Sequence, residues 1–97
     1  MDHAAAFKAL GDPKRVGMLR DIAACDDVCA CDLLERYDMS QSTLSHHLGL
    51  LARAGLVRTR KQGKWVHYTA DRDALRELAG VLAGVADTPG GGGCGCV

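Results

Sequence analysis

Ser40-Gln41-Ser42-Thr43-Leu44-Ser45-His46-His47-Leu48-Gly49-Leu50-Leu51 and, nine residues on, Arg60-Lys61-Gln62-Gly63-Lys64-Trp65 carry the two patterns from which the architecture can be read. In the first, Leu44, Leu48 and Leu51 stand at i, i+4 and i+7, the apolar stripe of a helix. Ser40 is a suitable N-cap for it, and Gly55 ends it as a C′ glycine. Upstream, Asp38-Met39-Ser40 forms a tight connection to a short helix expected over Cys31 to Tyr37, with Leu33 and Leu34 inward. Two helices joined by so short a turn, the second opening on small polar residues, make a helix-turn-helix. In the second pattern, Leu56 to Arg60 and Trp65 to Thr69 are rich in β-branched and aromatic residues and flank Lys61-Gln62-Gly63-Lys64. Gly63 can take positive φ there, which predicts a hairpin. A basic hairpin directly after a helix-turn-helix is a wing.

Working outward, His3 to Leu10 predicts a short helix. Asp12-Pro13 then supplies an N-cap and a proline at the first helical position. Val16, Leu19, Ile22 and Ala23 follow at helical spacing, so a second helix is expected from about Pro13 to Ala24. Asp71 caps a last helix to about Ala86, with Leu75, Leu78, Leu82 and Val85 in a three-four-three repeat. That narrow seam suits a helix pairing with a symmetry mate. The fold class is therefore mainly α with a β-hairpin wing, a winged helix-turn-helix. Residues 1–87 are expected to form one domain, and residues 88–97 a flexible tail of glycine and cysteine.

Composition agrees with one small soluble domain: 97 residues, 47% hydrophobic and 25% charged. Twelve basic side chains balance twelve acidic ones, which on its face argues against a nucleic-acid partner. The distribution reverses that argument. From Met39 to Ala70 there is no Asp or Glu, while Arg53, Arg58, Arg60, Lys61 and Lys64 give +5; from Asp21 to Asp38, six acids against Arg36 give −5. Positive charge concentrated in one contiguous third can track a phosphate backbone. The bland alternative is a merely solvated basic surface. On the helix, Gln41, Ser42, Thr43, Ser45 and His46 are the candidates for base and phosphate contacts, since a recognition helix presents its N-terminal residues to the major groove. Gln41 can pair bidentately with adenine. His47 shares the face of Leu44 and is expected as a partly buried packing or hydrogen-bonding residue. Arg60, Lys61 and Lys64 on the wing are candidates for phosphates or the adjacent minor groove.

No apolar run approaches the roughly 20 residues needed to span a bilayer, and Met1-Asp2-His3 lacks the order of a signal peptide. A cytoplasmic protein with no membrane partner is expected. In a reducing compartment, five cysteines point to metal binding or redox chemistry rather than to a disulfide framework. Cys25, Cys29 and Cys31 form one cluster; Cys94 and Cys96 form another. No cysteine–histidine–acid set, phosphate loop or paired-carboxylate motif suggests an enzyme. Metal storage by the cysteines would leave the basic wing unexplained.

Ala9-Leu10-Gly11-Asp12-Pro13-Lys14-Arg15, Ser45-His46-His47-Leu48 with Leu51, and Arg60-Lys61-Gln62-Gly63-Lys64-Trp65-Val66-His67-Tyr68 resemble the ArsR/SmtB metal-sensing repressors. The wing and Cys29-Ala30-Cys31-Asp32-Leu33 are similar to the arsenic-responsive ArsR branch, and the resemblance covers roughly residues 4 to 86. It implies a homodimer joined through the first and last helices, which represses a double-stranded operator until an inducer lowers its DNA affinity. One departure stands out. The arsenic-sensor pattern has a third cysteine three residues after the second, where this chain has Leu34. The zinc pattern of some relatives is also missing, since no histidine lies between Asp71 and Val97.

As(III) and Sb(III) bind three thiolates in a pyramidal array. The resemblance places the inducer at Cys29 and Cys31. On a regular helix, residues two apart point about 200° away from one another. They can share one ion only if the start of that helix is irregular, and drawing them together would strain the helix preceding the recognition helix. The third thiolate can be Cys25, or Cys94 or Cys96 from the tail, whose six residues from Thr88 to Cys94 reach up to roughly 20 Å. The tail is favoured, because Cys-Gly-Cys after four glycines has no use in core packing. Cys29, Cys31, Cys94 and Cys96 together would make a four-sulfur site better matched to Cd(II), Pb(II) or Zn(II). A further alternative is a winged-helix regulator that senses thiol oxidation through Cys29 and Cys31.

Overall fold

The computed structural model describes residues 1–90, so Cys94, Cys96 and most of the expected tail lie outside the described residues. The elements, in chain order, are α1 (His3–Ala9), α2 (Pro13–Ala23), β1 (Val28–Cys29), α3 (Ala30–Arg36), α4 (Gln41–Arg53), β2 (Val57–Gln62), β3 (Trp65–Ala70) and α5 (Arg72–Ala86).

Capping sets most of these boundaries. Asp2, Asp12, Ser40 and Asp71 each precede a helix in extended conformation, and each side chain accepts a hydrogen bond from a backbone N–H of the first turn. Pro13 occupies the first turn of α2, where its missing N–H costs nothing. Gly55, at φ 81°, turns the chain out of α4 toward β2.

The core lies where α2, α3 and α4 meet the sheet. Met18, Ile22, Leu33, Leu44, Leu48, Leu51 and Leu56 are its fully buried large side chains, joined by Val28, Val57, Tyr68 and Leu78. The leucine stripe of α4 thus faces inward along its whole length, and the opposite face is left to solvent.

The sheet has three antiparallel strands in the order β1-β3-β2. Strands β2 and β3 form the wing, with Gln62 paired to Trp65 across a two-residue turn, Gly63-Lys64. The turn is shorter than the four residues expected, because pairing continues through Lys61 and Gln62. Gly63 has φ 63° and no non-glycine residue among the described residues has positive φ, the II′ pattern that matches strand twist. Nothing local in the sequence predicts strand β1. Two residues are too few to show alternation, and their partners Tyr68 and His67 lie some forty positions away. Helix α3 follows β1 directly and runs Ala30–Arg36 rather than Cys31 to Tyr37, with Cys29 as its N-cap and Tyr37 already extended.

Helix α5 is anchored at its N-terminal half. Arg72 donates to the carbonyl of Ala23 at 2.7 Å, Glu77 meets His3 at 2.8 Å, and Leu78 is buried. The second half leaves the domain, with Leu82 58% and Val85 71% exposed.

Candidate nucleic-acid interface and thiol pair

The N-terminal turn of α4 exposes Gln41, Ser42, Thr43, Ser45 and His46 side by side. Ser40 orders this turn. Its Oγ accepts from the Thr43 N–H at 3.2 Å, donates to Thr43 Oγ1 at 2.9 Å and lies 3.1 Å from Ser42 Oγ. The recognition-helix candidates are therefore together, polar and pre-ordered. His47, half-buried as expected, faces the other way and holds Arg15 Nη1 at 3.1 Å through Nδ1. A guanidinium can only donate, so Nδ1 must carry the lone pair. Burial, the largest influence, pushes the His47 pKa down, in the same direction.

On the wing, Arg60, Lys61 and Lys64 are all exposed. Lys61 and Lys64 make no ion pair among the described residues. Arg58 is held by Asp71 at 3.3 Å. Arg60 is held more closely: Nη2 donates to Asp27 at 2.8 Å and Nη1 to Gln62 Oε1 at 2.8 Å. Asp27 also meets His67 Nδ1 at 3.1 Å. Sequence reasoning does not reach Asp27 or His67 as site residues. In the sequence Asp27 is one acid in an acidic run, and no local signal connects it to partners 33 and 40 residues away.

The thiol pair sits beside this cluster. Cys29 is the last residue of β1 and the N-cap of α3, in extended conformation (φ −74°, ψ 140°), while Cys31 lies in the first turn. Their Cα atoms are 5.1 Å apart and the sulfurs are joined as a disulfide. The Cys31 N–H also donates to Cys29 Sγ at 3.2 Å, so the sulfur serves as the cap acceptor. The condition set by the spacing is met, but the expected helix strain is not needed, because Cys29 stands outside the helix. Cys25 is half-buried, packed against the core, and in no disulfide among the described residues. No set of three or more Cys, His, Asp or Glu side chains converges into a metal site among the described residues. No helix among them is long and apolar enough to cross a membrane.

A three-helix core carrying an exposed polar helix N-terminus beside a basic hairpin defines a winged helix-turn-helix, the fold of a DNA-binding regulator rather than an enzyme. Comparison with known proteins narrows the class. Residues 12–59 match the family described as bacterial regulatory proteins of the arsR family. An uncharacterized HTH-type transcriptional regulator of Methanocaldococcus jannaschii is 39% identical over 72 residues, 74% of this chain and 81% of the relative. The arsenical resistance operon repressor of Escherichia coli is 47% identical over 62 residues, 64% of this chain and 53% of that protein. A cadmium resistance transcriptional regulatory protein homologue from Staphylococcus aureus is 38% identical over 78 residues, 80% of this chain and 64% of that protein. This chain thus spans from about half to two thirds of these two resistance regulators. Among solved structures, an ArsR-like transcriptional regulator from Rhodococcus superposes with TM-score 0.75 at 30% identity, covering 87% of this chain and 78% of the other. A homodimeric winged helix-turn-helix DNA-binding domain from Mycobacterium bovis gives 0.69 at 25%, covering 90% and 81%. The chain belongs to the ArsR family of transcriptional regulators.

Proposed function

We propose that this protein is a cytoplasmic, homodimeric repressor that leaves its operator when As(III) or Sb(III) binds Cys29 and Cys31 together with a third thiolate. The observation that carries this reading is the position of the thiol pair: an extended N-cap residue and a first-turn residue bring two sulfurs to one point, one short helix before α4. The arsenical resistance repressor among its relatives supports the choice of inducer. Each reduced thiol replaces one hydroxyl of arsenous acid and releases one water, so three thiols complete the pyramidal site. Cys94 or Cys96 of the tail is the proposed third donor, with Cys25 the alternative. Residues 1–87 form the DNA-binding and dimerisation unit, with α1 and α5 at the dimer contact. Gln41, Ser42, Thr43, Ser45 and His46 read the major groove while Arg60, Lys61 and Lys64 meet phosphates.

The test is fluorescence anisotropy of the reduced protein on its own promoter DNA, titrated separately with arsenite, antimonite, Cd(II), Pb(II) and Zn(II). Release at near-stoichiometric arsenite or antimonite is expected. Cys29→Ser or Cys31→Ser should keep operator binding and abolish release; full induction in either variant sinks the site. Release by a divalent ion alone would favour the four-sulfur arrangement, to which the cadmium-resistance relative also points. A second reading, thiol-oxidation sensing, is favoured by the joined sulfurs of Cys29 and Cys31. Release by peroxide where arsenite has no effect would select it.

A further inference from the structure

Arg60, His67 and Cys29 occupy one row across the three strands: Cys29 is the register partner of His67, and His67 that of Arg60. Residues directly opposite on an antiparallel ladder share a face with Cβ atoms about 5 Å apart. Asp27 closes this row, its Oδ2 accepting from Arg60 Nη2 at 2.8 Å and meeting His67 Nδ1 at 3.1 Å. Gln62 takes Arg60 Nη1, so both terminal nitrogens of the guanidinium are engaged within the protein. These are the same donors a phosphate requires. Asp27 is itself fixed from the core, because the next residue, Val28, is 3% exposed and pairs with Tyr68. Cys29 follows directly.

We infer that Asp27 is a positioning residue, an internal carboxylate that competes with a DNA phosphate for Arg60 and links the thiol pair to the wing. In this structure the two sulfurs are joined and Arg60 is withheld. Arsenous acid closes the dithiol without oxidation, each thiol replacing one hydroxyl and releasing one water, and a closed thiol site holds β1 and the start of α3 in the conformation that keeps Asp27 on Arg60. In the open dithiol form, β1 is less constrained and Arg60 exchanges Asp27 for phosphate. The inference rests on the operator-binding function proposed above, and it assigns to the thiol site a route to DNA that does not pass through α4.

The experiment is a double-mutant cycle on operator affinity with the reduced, full-length protein: wild type, Asp27→Asn, Arg60→Ala and the double variant. Asp27→Asn keeps the side-chain size and removes the charge. It should tighten binding about two- to fivefold, the range of an exposed ion pair, and the gain should vanish when Arg60 is alanine. A gain of equal size in both backgrounds would be the uniform effect of one acid fewer and would overturn the inference, as would no gain at all. With arsenite added, Asp27→Asn should lose less affinity than wild type while still binding arsenite, read from arsenic–thiolate absorbance. Equal loss in both proteins would break the proposed link. If wild type is not released by arsenite, the inducer assignment fails, and the inducer-free cycle still decides the role of Asp27.

Discussion

One arginine does three things at the junction of α1, α2 and α4. Arg15 donates Nε to the carbonyl of Ala9 at 2.6 Å, gives Nη1 to His47 at 3.1 Å and lies 3.8 Å from Asp12. Its partner His47 is held neutral by burial and by the demand for a lone pair. Because the folded-state pKa of His47 is below its ordinary 6.5, the unfolded chain binds the extra proton first as pH falls. The stability from this site is complete above about 6.5 and drains as pH drops toward the depressed folded value. Urea midpoints measured at pH 7.5 and 5.5 should therefore differ, and His47→Gln should reduce the difference. On the wing, Lys61 has no carboxylate partner among the described residues, in contrast to Arg60. Lys61→Ala should weaken binding to all DNA sequences and lower the salt slope by about one, the share of a single neutralised phosphate. An unchanged slope would remove Lys61 from the interface.

At the level of elements, local chemistry does most of the placing. Ser40 caps α4 and also orders the hydroxyls of Ser42 and Thr43. Ser40→Ala should cost about 1 kcal/mol, lowering the melting temperature by roughly 4–8 °C for a domain of this size, which thermal denaturation can read. The hairpin offers a cleaner contrast. A Cβ added at Gly63 meets nothing within 4 Å, yet φ is +63°. Gly63→Ala should then cost about 1 kcal/mol through backbone conformation alone, with no steric contribution. Calorimetry showing no destabilisation would contradict the turn geometry. The caps, the leucine stripe and the wing glycine are all legible in sequence because each depends on residues within one or two turns. The exact hairpin turn and β1 are not: pairing through Lys61 and Gln62 and the Val28–Cys29 strand depend on partners across the sheet.

For the molecule as a whole, α5 presents more apolar surface than one domain uses. Leu78 is 4% exposed, but Leu82 and Val85 on the same seam are 58% and 71% exposed. His3 of α1 is tied to Glu77 of α5 at 2.8 Å, so the first and last helices form one surface. In the proposed dimer a second copy covers this apolar face, which makes stability depend on protein concentration. Leu82→Glu should shift the proposed dimer to monomer in sedimentation, abolish the concentration dependence of melting, and lower operator affinity, because a dimeric reader engages two half-sites together. A variant that remained dimeric would place the dimer surface elsewhere.

From the chain of residues alone came the winged helix-turn-helix, the polar opening of α4, the basic wing and the outward seam of α5. Each is written in a periodicity, a cap or a turn residue whose partners are close in sequence. What the tertiary structure decided was which of these groups are free to act. It set Cys29 as the extended N-cap of α3 so that its sulfur meets that of Cys31, a result the two-residue spacing left open. It gave Arg60 to Asp27 across 33 residues, set His67 beside them across 40, and joined Arg15 to His47 across 32. Such pairs have no local signature. They exist because the core packs β1 against the wing and α2 against α4, and only that packing brings their side chains within hydrogen-bonding distance.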